Sequence, residues 1–158
     1  GRRCYPLALL MGAAVAAGES AERTLVGHVA TANINHQQPS SQALLSALNE
    51  LRALPTSAIG EPRGLQSLDS VIQTLEAKSA ATVLLLDTGD HALLMAKVQA
   101  GDQFVYRFYD PNFAIYAFAE QAAASGLPSS ITSKMRCGNR HRSGGRAGHR
   151  SSCRYSHR

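Results

Sequence analysis

The stretch from residue 81 to residue 118 constrains this chain more than any other. Three short apolar runs follow one another there: ATVLLLD at 81–87, HALLMAKV at 91–98 and QFVYRFY at 103–109. Each is rich in branched, aromatic or large aliphatic residues and has the length of a strand rather than a helix. Thr88-Gly89-Asp90 separates the first two, and Gln99-Ala100-Gly101-Asp102, a hairpin turn signal, separates the second from the third. Asp110-Pro111-Asn112 ends the third run, because proline has no N–H for the ladder and restricts the residue before it. Residues 113–118 form a further strand or lead into a helix through Ala124. Consecutive strands joined by tight turns pair antiparallel, and such a sheet needs a cover for its apolar face.

The cover is expected to be helical. Residues 4–18 read as one helix, with Pro6 in the first turn, a Leu, Ala and Met run behind it and Gly18 as the stop. Arg2 and Arg3, the apolar run and the small residues before Glu19 also fit a secretory leader. The missing initiator Met points instead to a chain cut from something longer. Residues 24–30 (TLVGHVA) fit a short strand or a helix turn, and residues 33–40 a polar loop. Ser40 or Ser41 can cap a helix to about Leu54, with Leu44, Leu45, Leu48, Leu51 and Leu54 on one face. A second amphipathic helix spans about 65–78 through Leu65, Leu68, Val71, Ile72 and Leu75. The fold class is therefore α+β: helices first, then a small antiparallel sheet, in residues 1–133. No apolar run reaches the roughly 18 residues that a membrane-spanning helix needs.

Charge divides the chain at residue 134. The net charge of +5 suggests nucleic acid or an acidic surface. Yet eight of the sixteen Lys and Arg lie in residues 134–158 and all eleven acids precede them, leaving a body of −3 and a tail of +8. The tail is Arg, Ser, Gly, His and Cys with almost nothing apolar, so it builds no core. Cys137-x3-His141, His149 and Cys153-x3-His157 have zinc-ligand chemistry, but their spacing matches no common finger. Tyr155 alone gives no stacking platform for nucleic acid. The tail is read as a disordered or out-of-frame segment, and no nucleic acid, metal or cofactor is expected. Of three cysteines only Cys4 lies in the body, which excludes an internal disulfide scaffold there.

Cys4 stands at the front of the first helix. Unpaired N–H groups and the positive end of the helix dipole make this a place where a thiolate is readily held, and Arg2 and Arg3 add positive charge. The plainer alternative is a small buried residue that happens to start a helix. The second candidate pair is His91 and Asp110. If Ala100 and Gly101 form the two-residue loop, Gln99 pairs with Asp102 and His91 falls directly opposite Asp110 at the open end of the hairpin. A carboxylate there fixes the imidazole tautomer. The alternative is two solvated strand ends, with Asp87 or Asp90 as other partners for the ring. His28 fits a core position and His36 a solvated loop. A thiol on an early helix, followed downstream by His and Asp on adjacent strands, has the order of papain-type catalysis.

Arg3-Cys4-Tyr5 at the head of the helix, His91-Ala92 opening a strand and Phe108-Tyr109-Asp110-Pro111-Asn112-Phe113 closing the next carry a resemblance. Over about residues 1–120 the chain resembles the "makes caterpillars floppy" type effector domains of large bacterial toxins, including the multifunctional-autoprocessing RTX toxins, and is similar to the wider YopT-like cysteine protease families. The resemblance implies a papain-like cysteine protease core with Cys4 as nucleophile, His91 as general base and acid and Asp110 as the orienting carboxylate. It implies an effector secreted within a larger toxin and acting in host cytosol, which cuts its own polypeptide near the Arg3-Cys4-Tyr5 processing motif. It also brings in a host small GTPase of the ADP-ribosylation-factor class as activator.

Two departures bear on this reading. A papain-type site takes its second oxyanion donor from upstream of the nucleophile, where only Gly1, Arg2 and Arg3 stand. Asn33, Asn35, Gln37 and Gln38 are the candidates in its place. The basic tail also replaces the core-forming elements with which such a domain would continue. A transglutaminase or deamidase would use the same three residues on a glutamine amide. The non-enzymatic alternative is a truncated toxin fragment or a binding module.

Overall fold

A computed structural model of the protein describes residues 3–55, 60–89, 91–112 and 114–119. Four helices precede a four-stranded antiparallel sheet: α1 (Cys4–Ala17), α2 (Glu19–Ile34), α3 (Pro39–Arg52), α4 (Leu68–Glu76), then β1 (Thr82–Asp87), β2 (Ala92–Ala100), β3 (Gln103–Asp110) and β4 (Ala114–Ala119). The strands lie in the order β1-β2-β3-β4, a meander in which each is hydrogen-bonded to the next. The fold is α+β, with Cys4 on the first helix.

Alternation along the strands sends the side chains to two cores. Leu94, Ala96 and Tyr109 face α1, α2 and α3, packing with Met11, Val15, Leu25, Leu44 and Leu48. Leu93, Met95, Tyr106 and Phe108 face the other way and pack with Val71, Ile72 and Leu75 of α4. Helix α1 is apolar nearly all round, as a helix buried between a sheet and other helices must be. It lies close on the sheet at Gly12, where an added Cβ would sit 3.0 Å from Leu94 Cδ1 and 3.3 Å from Val83 Cγ1.

Three local expectations are sharpened or corrected. Of strand or helix turn at residues 24–30, the structure has helix, as part of the longer α2. Glu19 and Glu22 in its first turn suit the helix dipole, and Leu25, Val29 and Ala32 place a stripe against the core at helical spacing. In the second amphipathic segment Ser67 caps the helix by accepting from Ser70 N at 3.2 Å, so Leu65 falls outside it and is 77% exposed. The β2–β3 loop is Gly101-Asp102, with Ala100 paired to Gln103 and Gln99 to Phe104. Its first residue needs positive φ, and Gly101 at 62° supplies it where Ala100 could do so only with strain.

Two charged side chains of the sheet tie the layers together. Lys97, 3% exposed on β2, donates from Nζ to the carbonyls of Glu76 at 3.1 Å and Lys78 at 2.8 Å, at the C-terminal end of α4. The same ammonium sits 4.6 Å from the centre of the Phe104 ring. On the other face Arg107 of β3 meets Glu22 of α2 at 3.2 Å. No helix among the described residues is long and apolar enough to cross a membrane.

Candidate active site

The open end of the β2–β3 hairpin gathers polar side chains that the sheet itself does not require. His91 immediately precedes β2, and its carbonyl accepts from both Thr88 N–H at 2.9 Å and Thr88 Oγ1 at 3.0 Å. These bonds fix where the ring starts from. Asp110 is the last residue of β3. The ladder runs from Ala100↔Gln103 to Leu94↔Tyr109, and continuing its register makes Asp110 a diagonal neighbour of His91 on the same face rather than its direct opposite. The shift preserves the face, and the two side chains meet: His91 Nε2 and Asp110 Oδ1 are 2.8 Å apart.

This contact is sheltered, with side-chain exposures of 17% for His91 and 3% for Asp110. An ionised carboxylate only accepts, so it holds the imidazole with Nε2 protonated and leaves Nδ1 carrying the lone pair. Nδ1 is buried and has no hydrogen-bond partner among the described residues. A buried ring nitrogen without a partner is a cost to the fold, and it is also the geometry of a base awaiting a proton.

The same Asp110 oxygen accepts the backbone N–H of Asn112 at 2.9 Å. This is an aspartate bonding two residues ahead of itself across Pro111, whose fixed φ favours such a turn. The turn carries the Asn112 side chain to α1, where Cys4 Sγ donates to Asn112 Oδ1 at 3.8 Å. Cys4 is thus linked to the His91–Asp110 pair through Asn112, and no hydrogen bond joins the thiol to the imidazole. Arg3, at the N-cap, offers no side-chain cap to the helix. The first-turn N–H groups of α1 therefore keep their partial positive charge at the thiol.

Two tyrosines adjoin these residues in sequence, Tyr5 next to Cys4 and Tyr109 next to Asp110. Burial, then the charge on Asp110, then that on Cys4 push Tyr109 up to about 12, so its hydroxyl stays protonated beside the site. Tyr5 is raised as well, by burial first and Asp87 second, and its buried hydroxyl has no hydrogen-bond partner among the described residues.

Other sequence candidates fall elsewhere. Asp87 Oδ1 accepts from Gly89 N–H at 2.7 Å, while the imidazole bonds Asp110. Asp90 lies outside the described residues. Asn35 uses its side chain within its own loop, accepting from Gln37 N–H at 3.1 Å. His28 is exposed on α2 rather than in the core, and His36 is exposed in its loop. No group of three His, Cys, Asp or Glu among the described residues could hold a metal ion. The tail cysteines and histidines, and any helix through Ala124, lie outside the described residues. Sequence reasoning assigned no role to Asn112 or Tyr109. Asp-Pro-Asn announces a tight turn, which was the one available hint that Asn112 would be held at a defined place.

A family model described as the Mcf1 protease effector domain matches residues 1–135. No curated protein matches the chain.

Proposed function

The chain belongs to the Mcf1 protease effector domain family, and from that premise we propose that it is a cysteine peptidase whose nucleophile, base and orienting acid are Cys4, His91 and Asp110. Membership makes it a protease-type toxin effector. The finer assignment rests on one observation above the others: Asp110 occupies Nε2 of His91 and leaves Nδ1 buried without a hydrogen-bond partner among the described residues.

The steps follow from that tautomer. The thiol turns from Asn112 toward the imidazole, and Nδ1 takes its proton. Sγ attacks the carbonyl carbon of the scissile peptide, and the π pair moves to oxygen. As the tetrahedral intermediate collapses, the C–N bond breaks and the imidazolium gives its proton to the leaving amine. A thioester remains on Cys4. Water then loses a proton to Nδ1 and attacks the thioester carbon; the C–S bond breaks as the intermediate collapses, the new carboxylic acid leaves, and the imidazolium returns its proton to sulfur to regenerate the thiol. Asp110 holds the ring and stabilises its charged form throughout. The Cys4 backbone N–H has no intrahelical acceptor and supplies one hydrogen bond to the developing oxyanion.

In this reading the substrate is the effector's own polypeptide near Arg3-Cys4-Tyr5, cut in host cytosol after delivery within a larger secreted toxin. A host small GTPase of the ADP-ribosylation-factor class is the proposed activator, and the Cys4–Asn112 contact is what such a partner would change. The test is a fusion with a reporter protein ahead of Gly1, incubated with host-cell cytosol. Cleavage near the motif is expected in the natural sequence and not in Cys4→Ala. Persistent cleavage in Cys4→Ala removes the nucleophile assignment, and an intact natural fusion removes the peptidase reading.

A further inference from the structure

We infer that the side-chain amide of Asn112 is the second oxyanion donor, completing the oxyanion hole with the Cys4 backbone N–H. The inference rests on the peptidase reading above and deepens it. Its first support is contact: Asn112 is the side chain to which the Cys4 thiol is hydrogen-bonded, at 3.8 Å. The second is placement. The Asn112 backbone is tied to Asp110 Oδ1, the oxygen that also holds His91, so the amide and the imidazole are positioned by one carboxylate. The third is freedom. The Asn112 side chain makes no other hydrogen bond among the described residues, so its amide can rotate.

That rotation matters because the two ends of the amide suit the two states of sulfur. A thiol donates, and Oδ1 accepts from it, as in this structure. A thiolate only accepts, so once the proton has gone to His91 an oxygen facing sulfur is repelled and the isosteric NH2 group is favoured. With Nδ2 turned inward, Asn112 stands beside the attacked carbon. When the S–C bond forms, the carbonyl π pair becomes an oxyanion that accepts from Asn112 Nδ2–H and from Cys4 N–H. When the C–N bond breaks, that pair re-forms the carbonyl of the thioester and both donors are released. Donors serve best at about 2.7–3.1 Å from the oxyanion, and a group in contact with sulfur is one small rotation from that position.

The experiment compares self-cleavage of the reporter fusion with iodoacetamide alkylation of Cys4, which passes through no oxyanion. Asn112→Ala should slow cleavage about 10²–10³-fold, the loss typical of one oxyanion donor, while alkylation of Cys4 does not fall. Asn112→Asp keeps the shape and the turn but presents only acceptors, and it should lose at least as much cleavage. Melting curves report whether either variant is folded, and the isosteric Asp form decides the matter if the Ala form is not. Cleavage within about threefold of the natural chain in a folded variant overturns the assignment. So does an equal loss of alkylation and cleavage, which would place Asn112 in positioning the thiol rather than in the hole. Failure of the natural fusion to cleave is a different result and removes the peptidase reading itself.

Discussion

Lys97 and His91 are two polar residues on the same face of the sheet, one within β2 and one just before it, and they are treated in opposite ways. The Lys97 ammonium gives two of its protons to carbonyls at and just beyond the C-terminal end of α4, those of Glu76 and Lys78, and turns toward the face of Phe104. Such a charge is tolerated in a core because its needs are met, and its service is to pin α4 to the sheet. Among the described residues the His91 ring is met on one side only, with Asp110 on Nε2 and no hydrogen bond on Nδ1. A fold that satisfies a buried ammonium completely and leaves a buried imidazole nitrogen open a few residues away has put structure at one place and chemistry at the other.

That contrast can be broken most severely at Asp110. Asp110→Asn keeps the shape but no longer enforces the tautomer, and self-cleavage should fall by about 10²–10⁴-fold with little loss of melting temperature. An equal loss of stability and activity would make Asp110 a structural residue like Lys97. The reverse pattern is expected at Lys97. Lys97→Met removes both hydrogen bonds to the C-terminal end of α4, and chemical denaturation should register a loss of about 1–3 kcal/mol, with the cleavage rate of the folded protein unchanged. A cleavage defect in Lys97→Met at full stability would dissolve the division of labour.

A smaller effect is expected at Tyr109. The folded state holds its proton up to about pH 12, against an ordinary tyrosine value of 10.0, because the phenol is buried and faces Asp110 and Cys4. The folded state therefore binds more protons than the unfolded state between those values, and stability must fall as pH rises through the window. The stabilisation is whole below pH 10 and lost as pH passes about 12. Tyr109→Phe should flatten that part of the alkaline unfolding profile; an unchanged profile would show that the phenol is not held in this environment.

Much of this was legible in the chain. The apolar runs of β1 to β3, the helix behind Pro6 and the leucine face of α3 follow from periodicity. Helix α2 was not, because Thr24, Val26, Val29 and Thr31 are β-branched and favour strands in isolation, and only packing of Leu25 against the other helices decides for the helix. The hairpin register was read one loop residue too early, since both Ala-Gly and Gly-Asp can close a turn and only the positive φ of the first position separates them. The His91–Asp110 contact survived that error because the change in register conserves the face. The contact between Cys4 and Asn112 had no local signal: nothing in a sequence pattern relates residue 4 to residue 112, and only the seating of α1 on the sheet brings them together.

The central claim is that His91 Nδ1 takes the proton of the Cys4 thiol. It is tested most directly by the rate at which iodoacetamide alkylates Cys4 near neutral pH, with and without His91. Read peptide by peptide, Cys137 and Cys153 of the same chain serve as references. The account predicts that Cys4 reacts faster than those references in the natural chain and loses that advantage in His91→Ala. Equal alkylation of Cys4 in the two proteins would contradict it.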